Sequence, residues 1–467
     1  MACFKILASI LVEFSRNLRW PLSRSRTHIC IGSLFGLALF FYLSATLADN
    51  SPAVTSATLA SRLLFSSTSI SSFSSFIPLD NHLVSDPLKN NSDGCAFSTV
   101  AAVERTRQES TNKTETHITG DLTSCDIFDG KWVFDNSDPI YQPGSCPFID
   151  DAFNCFKNGR LDSGYMRYRW KPNDCQIPRL DGKEMLEILK GKRLAFVGDS
   201  LNRNMWQSLV CALRESVMNK SRVFEVSGRH EFRTQGFYSF IFTEYNCSIE
   251  FFRSPFLVQE WKINDSTGAR KETLRLDLIH GSSSKYFNAD IIIFNTGHWW
   301  THQKTSRGKD YFQEGDHVHS KLGVAEAYTK ALHTWARWVD GNIDSDRTRV
   351  FFRGYSASHF RGGQWSSGGN CENETQPITN SSYLAPYPQM MNILESVIRE
   401  MRTPVFYLNV TRMTDYRKDG HPSIFRQPKG HRQAAGMIQD CSHWCLPGVP
   451  DVWNQLLYTA LLISSRQ

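Results

Sequence analysis

The chain has 467 residues, of which 41% are hydrophobic and 12% aromatic, and this composition excludes an intrinsically disordered protein. Its 52 basic and 46 acidic residues leave a net charge of only +6, which does not indicate a nucleic-acid partner. The sequence contains no phosphate-binding loop motif and no zinc-finger spacing of cysteines. We therefore expect a globular protein with one large domain and accessory segments.

The N-terminal region predicts a membrane anchor. Residues 29–48 are uncharged and rich in Leu, Phe and Ile, and a helix of that length spans the hydrocarbon core of a bilayer. Arg16, Arg19, Arg24 and Arg26 precede the segment, so the positive-inside rule keeps residues 1–28 in the cytoplasm. A cleaved signal peptide is the alternative, but the run is long and begins late for one. The sequence thus predicts a single-pass type II protein whose remaining residues lie in a lumen.

Two segments of different character follow the predicted anchor. Residues 49–123 are rich in Ser and Thr and show no lasting periodicity, which is typical of a stem. Residues 124–178 carry four cysteines among many turn residues, and an oxidising lumen favours their pairing into a disulfide-tied module. Sequons for N-glycosylation begin at Asn90, Asn112, Asn219, Asn246, Asn264, Asn373, Asn380 and Asn409.

From residue 179 to 465, apolar runs alternate with amphipathic patterns. The runs predict strands at 194–197, 237–243, 248–252, 274–279, 290–294, 349–352 and 405–410, and the patterns predict helices at 182–189, 202–216, 324–339, 390–401 and from 451 onward. This alternation predicts an α/β domain with a parallel sheet covered by helices on both faces. Ligands of such folds bind at the carboxyl ends of the strands, which Ser200 and the segments 295–300 and 353–359 follow.

The segment Gly198-Asp199-Ser200 predicts a nucleophile. It stands between the strand at 194–197 and the following helix, so the hydroxyl of Ser200 is expected beside backbone N–H groups that the first helical turn leaves unpaired. A serine before a helix is also a common N-cap, and the tripeptide alone is a weak signal.

A second motif near the C-terminus strengthens the catalytic interpretation. Asp440 and His443 are three residues apart, so a turn can bring the carboxylate to the imidazole, which can then accept the proton of Ser200. Asp419 and His421 form a rival acid–base pair, but the Gly and Pro around them indicate a turn. A zinc site at Cys441, His443 and Cys445 is a further alternative; no second cluster of ligands accompanies it, and we expect no metal.

Several long motifs make the sequence recognisable. They are CDIFDGKWVFDN, YQPGSCPFIDDAFNCFKNGR, RWKPNDCQIPR, FVGDSLNRN, FNTGHWW and DCSHWCLPGVPDVWN. The chain resembles the plant trichome birefringence-like family of polysaccharide O-acetyltransferases from about residue 125 to its C-terminus. This family is in turn similar to GDSL/SGNH hydrolases, which implies an α/β/α sandwich with a parallel sheet and a smaller disulfide-tied lobe.

The resemblance implies roles for individual residues. Ser200 is the nucleophile, Asp440 and His443 complete the triad, and the Ser200 backbone N–H belongs to the oxyanion hole. It also implies four disulfide bonds, with Cys95 and Cys247 left without assigned partners. Candidates to complete the oxyanion hole are Arg203, Asn204, Asn295 and Gly297. Candidates to line a glycan cleft are His298, Trp299, Trp300 and Trp365, since aromatic faces stack on sugar rings; packing in the core is the alternative for each of these four. The implied bridges are Cys125–Cys175, Cys146–Cys211, Cys155–Cys445 and Cys371–Cys441.

Three functions are compatible with these features. The first is an O-acetyltransferase of the Golgi membrane that moves an acetyl group through acetyl-serine to a wall polysaccharide such as xylan or pectin. The second is an esterase with the same residues, and the third is a non-catalytic protein that binds or bridges wall polysaccharides. No cofactor is expected to stay bound; the donor would be acetyl-CoA or an acetylated carrier, and since acetyl-CoA is made outside the lumen, a transporter protein is an expected partner.

Overall fold

The computed structural model describes Leu122 and residues 124–232, 236–264, 268, 270–432 and 438–465. Within these residues, no helix combines the length and the hydrophobicity that a bilayer crossing requires. The expected cytoplasmic tail, the anchor at 29–48 and almost all of the expected stem lie outside the described residues, as do Cys95, Asn90 and Asn112.

The described residues form short strands and amphipathic helices. The strands are β1 (Gly130–Phe134), β2 (Tyr168–Pro172), β3 (Arg193–Gly198), β4 (Val223–Glu225), β5 (Phe237–Phe242), β6 (Cys247–Arg253), β7 (Val258–Asn264), β8 (Arg270–Ile279), β9 (Ile291–Phe294), β10 (Phe312–Glu314), β11 (His317–Val318), β12 (Arg349–Arg353) and β13 (Val405–Leu408). The helices are α1 (Gly182–Ile188), α2 (Ser200–Glu215), α3 (Ser283–Tyr286), α4 (Val324–Asn342), α5 (Gln389–Glu400), α6 (Thr411–Asp415) and α7 (Val449–Ser465).

The central sheet has the strand order β13-β12-β9-β3-β6-β5-β4. Neighbouring strands from β13 to β6 are parallel, as the sequence predicts. The expectation of a purely parallel sheet is wrong at one edge, where β5 is antiparallel to both β6 and β4. The reason is the short connection 243–246 between β5 and β6, because a parallel crossover needs about a dozen residues or more.

Helices cover both faces of this sheet. Side chains of a strand alternate between faces, so Leu194 and Phe196 of β3 join the core beneath α1, α2 and α7. Ala195 and Val197 join the core beneath α4 and α5. The described part of the chain is therefore a mixed α/β structure with a layer of helices on each side of the central sheet.

A second, four-stranded sheet lies outside the central one, in the order β11-β10-β8-β7. The strand predicted at 274–279 is the second half of β8 and belongs to this sheet, so its expected place in the parallel sheet is corrected. Leu274 and Leu276 nevertheless contribute to the same core as α4 and α5.

The cysteine-rich module packs onto the helical layer that contains α2 and α7. Its strands β1 and β2 pair antiparallel, and Tyr141, Phe153 and Trp170 are buried in the core that these helices share. The four bridges in the structure are the ones that the resemblance implies: Cys125–Cys175, Cys146–Cys211, Cys155–Cys445 and Cys371–Cys441. Cys247 is a buried free thiol, and burial raises its pKa to about 12.

Candidate active site

The turn between β3 and α2 presents Ser200 at the carboxyl edge of the central sheet. Gly198 ends the strand with φ +156°, and a Cβ there would collide with the side chain of Asn295. Asp199 is the N-cap of α2, and its carboxylate accepts the backbone N–H of Leu201 at 2.9 Å. Ser200 is thus the first residue of the helix, where the positive end of the helix dipole lies.

The structure brings the three residues of the expected triad together. The Nε2 atom of His443 is 2.7 Å from the Oγ atom of Ser200. The Nδ1 atom of His443 lies 2.8 Å from Oδ2 and 3.1 Å from Oδ1 of Asp440. Since a carboxylate only accepts hydrogen bonds, Nδ1 carries a proton and Nε2 of the neutral ring is free to accept the serine proton.

The carboxylate of Asp440 is ionised despite its burial. Burial alone would raise the pKa of Asp440, but the attraction of the His443 ring in its protonated form and the hydrogen bonds from its ring and backbone outweigh that effect and hold the pKa well below its usual range. The backbone N–H of His443 donates to Oδ1 of Asp440 at 3.0 Å. The aspartate therefore orients the ring and can stabilise its protonated form.

The loop that carries Asp440 and His443 is fastened on both sides. Cys441 is bonded to Cys371, and Cys445 is bonded to Cys155 of the cysteine-rich module. Between them, the amide of Asn204 on α2 accepts the Trp444 N–H at 2.8 Å and donates to the Trp444 carbonyl at 3.1 Å. These contacts fix the distance between the loop and the helix that begins with Ser200.

Three of the four residues expected to complete the oxyanion hole direct their side chains to other partners. Asn204 is fully buried and uses its amide on Trp444, as described above. Asn295 is also fully buried; its Nδ2 donates to Asp199 at 2.8 Å and its Oδ1 accepts the Asp199 N–H at 3.1 Å. Arg203 donates to the Phe232 carbonyl at 3.0 Å and pairs with Asp150 at 3.3 Å. Gly297 accepts the Trp300 N–H at 3.1 Å through its carbonyl, and this contact does not involve its own N–H, the group that an oxyanion would need.

Asp199 has a role at the site that the sequence did not predict. The sequence marks it only as the middle residue of Gly198-Asp199-Ser200. Its Oδ2 is 3.2 Å from Nδ1 of His298, and its side chain is fully buried. Burial would raise the pKa of Asp199, but the charge and hydrogen bond of His298, with a smaller contribution from Arg353, hold it well below its usual range. Its position before a helix was the available signal, since Asp is a favoured N-cap.

His298 is held in place by contacts at both ring nitrogens and on its ring face. Its Nε2 is 2.9 Å from the Ser356 carbonyl, and its ring stacks on Tyr355 with centroids 4.3 Å apart. Trp300 is 4% exposed and donates to Thr296, so its ring packs in the core. Trp299 is partly buried, whereas Trp365 is 39% exposed. Of the four expected cleft residues, Trp365 is exposed, His298 and Trp299 are partly buried, and Trp300 is buried.

The rival acid–base pair has structural partners. Asp419 is buried and forms two hydrogen bonds of 2.9 Å with Arg417. His421 is 2.7 Å from the His443 carbonyl through Nδ1 and 2.7 Å from Nδ1 of His359 through Nε2. The two disulfide bonds at Cys441 and Cys445 remove the thiolates that a zinc site at this loop would need.

Comparison with known families shows what the two parts of the described chain are similar to. Residues 177–460 match a family described as the GDSL/SGNH-like acyl-esterase family found in Pmr5 and Cas1p. Residues 123–176 match the PMR5 N-terminal domain, which is the cysteine-rich module of the fold. The chain belongs to the trichome birefringence-like family. Its membership supports an acyl-transferase or acyl-esterase activity, and the Ser200 site lies within the matched esterase-like region.

Relatives from Arabidopsis thaliana extend the similarity over most of the chain. Protein trichome birefringence-like 4 is 56% identical over 445 residues, which are 94% of each chain. Protein trichome birefringence is 58% identical over 349 residues, 74% of this chain and 57% of the relative. Protein trichome birefringence-like 1 is 54% identical over 395 residues, 83% of this chain and 71% of the relative.

Proposed function

We propose that the chain is an O-acetyltransferase that transfers an acetyl group through Ser200 to a hydroxyl of a cell-wall polysaccharide. The observation that carries this proposal is the hydrogen-bonded series Ser200–His443–Asp440 at the start of a helix. Membership of a family with an acyl-esterase-like domain supports acyl chemistry at this serine. The family resemblance of the motifs supports transfer to a polysaccharide.

In the first half-reaction, Nε2 of His443 takes the proton of Ser200 while Oγ attacks the acetyl carbonyl of the donor. Negative charge develops on the carbonyl oxygen, and the Ser200 N–H at the helix N-terminus is placed to stabilise it. The tetrahedral intermediate then collapses. The bond to the donor breaks, the leaving group takes the proton from His443, and acetyl-Ser200 remains.

In the second half-reaction, a sugar hydroxyl gives its proton to Nε2 of His443 and attacks the acetyl carbonyl. The ester bond to Ser200 breaks, and Oγ recovers the proton from His443. Water in place of the sugar would give free acetate, so the same residues support an esterase. What decides between the two is whether the site holds a hydroxyl and excludes water.

The proposal includes a cellular setting. The four disulfide bonds support an oxidising compartment, which agrees with a Golgi lumen reached through a single type II anchor at 29–48. The acetyl donor would be acetyl-CoA or an acetylated carrier, supplied with the help of a transporter protein. The polysaccharide acceptor would be xylan, pectin or another hemicellulose.

The test supplies the purified chain with acetyl-CoA as donor and with deacetylated xylan or pectin oligosaccharides as acceptors. Mass spectrometry then measures the acetyl groups gained by the oligosaccharides. We expect Ser200→Ala to lower transfer by about 10³-fold or more, because the nucleophile is lost. Ser396→Ala, an exposed serine on α5, is the matched control and should leave transfer unchanged. Transfer that survives Ser200→Ala would reject the mechanism, and release of free acetate without acetylated glycan would identify an esterase instead.

A further inference from the structure

A lysine lies between two tryptophan rings at the carboxyl edge of the central sheet. The Nζ atom of Lys304 is 4.5 Å from the ring centroid of Trp299 and 4.6 Å from that of Trp365. Lys304 and Trp299 are partly buried, and Trp365 is exposed. A hydrogen bond of 2.9 Å from Ser366 to Gln303 joins the loops that carry these residues. We call Trp299, Lys304 and Trp365 the tryptophan–lysine cluster.

A second cation adjoins this cluster. The guanidinium of Arg253 lies 5.1 Å from the ring centroid of Trp299, so Arg253 and Lys304 contact the same indole. Arg253 has the carboxylate of Glu260 at 3.6 Å. Within the described part of the chain, Lys304 has no carboxylate at ion-pair distance, and burial together with the charge of Arg253 lowers its pKa. The cluster therefore carries positive charge that its neighbours do not balance.

The cluster lies near the Ser200 turn, as one strand pairing and one side-chain contact show. Arg253 is the last residue of β6 and stands opposite Gly198 in the parallel register with β3. Trp299 follows His298, whose ring lies 3.2 Å from Asp199, the residue before Ser200. Trp365 is tied to the same loop through Ser366 and Gln303. A polymer that crosses this edge of the sheet can thus meet the cluster and the serine together.

The side chains of the cluster specify the chemistry of a ligand. The exposed indole of Trp365 can pack on the apolar face of a pyranose ring. The ammonium of Lys304, for which the described residues supply no paired carboxylate, can bind a carboxylate through charge-assisted hydrogen bonds, with Arg253 beside it. A ring that carries a carboxylate is a uronic acid. We propose that Lys304 and Arg253, with Trp299 and Trp365, form a subsite for a uronate residue, so that the acceptor is an acidic polysaccharide. This inference rests on the proposed function for its link to transfer, although the binding can be tested alone.

A uronate can be part of the backbone, as in a galacturonan, or a branch, as in a glucuronoxylan. The experiment therefore uses the full-length chain with Ser200→Ala, which separates binding from transfer. Calorimetric titration compares a de-esterified oligogalacturonide with the methyl-esterified oligomer of equal length, which keeps the ring and lacks the charge. A glucuronoxylan oligosaccharide and the matching unbranched xylan oligosaccharide form the second pair.

We expect the charged member of at least one pair to bind about tenfold more tightly than its neutral partner at low salt, with the preference lost as ionic strength rises. The pair that shows the preference identifies the source of the uronate. Lys304→Gln should bring the ratio close to one, Lys304→Arg should retain most of it, and Lys321→Gln, an exposed lysine between β11 and α4, should not change it.

Equal binding of charged and neutral oligomers in both pairs would overturn the inference, as would a preference that Lys304→Gln leaves intact. A site for the phosphates of a nucleotide donor would show a different pattern: Lys304→Gln would weaken binding of coenzyme A and leave that of the oligosaccharides unchanged. That result would also overturn the uronate subsite. If the uronate preference holds while Ser200 proves unnecessary for transfer, the proposed function fails and the subsite stands.

Discussion

The hydrogen bonds around His359 and His421 require more protons than two neutral imidazoles carry. Nδ1 of His421 faces the His443 carbonyl at 2.7 Å, and Nε2 of His359 faces the Asp415 carbonyl at 2.9 Å, so each of these nitrogens must donate. The 2.7 Å contact between the two rings needs one further proton. The pair therefore holds three N–H groups and one positive charge.

Of the two rings, His421 is the one whose surroundings disfavour that charge. Burial, followed by the charge of His359, lowers the pKa of His421 well below its usual value, so His421 is the neutral ring. His359 lies 3.3 Å from the Asp415 carboxylate, and Asp440 and His443 act on His421. The arrangement holds the backbone carbonyl of His443, so both histidines are positioning residues for the imidazole beside Ser200.

We predict that His359→Phe lowers the free energy of unfolding by about 1–3 kcal/mol, because Nε2 of His421 loses its donor in a buried site. We also expect kcat to fall more than KM changes, since the loop of His443 is less well held. Denaturant unfolding and transfer kinetics measure both, with His317→Phe at an exposed position on β11 as the control. Nitrogen NMR of labelled histidine that shows only two N–H groups for the pair at neutral pH would contradict the proton count.

Asp451 gives a prediction for the pH dependence of stability. Its carboxylate accepts hydrogen bonds from Tyr141 at 3.0 Å, Ser208 at 2.5 Å and the Gly448 N–H at 2.7 Å. Burial nevertheless raises the pKa of Asp451 to about 6. Because the folded protein keeps this proton at pH values where the unfolded chain has released it, the contribution of Asp451 to stability is lost as pH rises from about 4 to about 6.

The measurement compares the chain with its Asp451→Asn variant by urea unfolding between pH 4 and pH 7. We expect the free energy of unfolding of the unmodified chain to fall relative to the variant by up to about 3 kcal/mol over this range. The variant also loses hydrogen bonds, which changes its free energy of unfolding by the same amount at every pH. The titration of Asp451 is what makes the difference between the two proteins vary with pH. A constant offset at every pH would show that Asp451 keeps its ordinary pKa.

At the level of elements, the loop between Asp440 and Cys445 depends on its disulfide bonds. Cys371–Cys441 spans 70 residues and Cys125–Cys175 spans 50, so loop-closure entropy assigns them similar stabilisation, about 4 kcal/mol each. Only the first bridge adjoins a residue of the Ser200 site, because Cys441 follows Asp440 directly. The second bridge lies within the cysteine-rich module and serves as its matched control.

We predict that replacing both cysteines of either bridge by Ser costs a similar free energy of unfolding. The rate of acetyl transfer, measured well below the melting temperature, should fall at least about tenfold only when Cys371 and Cys441 are replaced, since Asp440 must keep its distance to His443. Equal losses of rate in the two double variants would mean that the bridge stabilises the fold without holding the site.

The elements that sequence reasoning identified are those with one dominant pattern. The strands predicted at 194–197, 290–294 and 349–352 are confirmed as β3, β9 and β12, because continuous apolar runs mark buried parallel strands. The strand β7 was not predicted, since its sequence VQEWKIN mixes charged and apolar residues on a partly exposed hairpin. Likewise, the antiparallel edge of the central sheet depends on a connection length that the strand pattern does not reveal.

The residues of the site also fall into those that a local motif identifies and those whose contacts only the fold creates. The segment Gly198-Asp199-Ser200 and the spacing of Asp440 and His443 identify the three residues of the expected triad in the sequence, and their catalytic role remains a proposal. The contacts of Asp199 with His298 and of His359 with His421 span 99 and 62 residues, and no local pattern announces them. The amides of Asn204 and Asn295 have the residue type expected of an oxyanion hole, but their partners follow from packing that only the fold defines.

At the scale of the whole molecule, the cysteine-rich module is a structural part of the site. The ring of Phe153 lies 5.1 Å from that of His443, and its carbonyl accepts the Leu446 N–H at 2.9 Å. Arg160 donates to the carbonyls of His421 at 2.9 Å and Asp419 at 2.7 Å. The module thus supports the loops that carry His443 and His421, in addition to the bridge between Cys155 and Cys445.

This shared packing predicts that the described part of the chain unfolds as one unit. Residues of the module occupy the same core as α2 and α7, and removing either side would expose apolar surface on the other. Hydrogen exchange should therefore give the amides of β1 and β2 the same opening free energy as those of β3, apart from fraying ends. Arg160→Met should lower both by the same amount, because the buried carbonyls of His421 and Asp419 lose their donor. Exchange that releases β1 and β2 at a lower free energy than β3, or an effect of Arg160→Met confined to the module, would instead make the module an independent domain that docks on a site already formed.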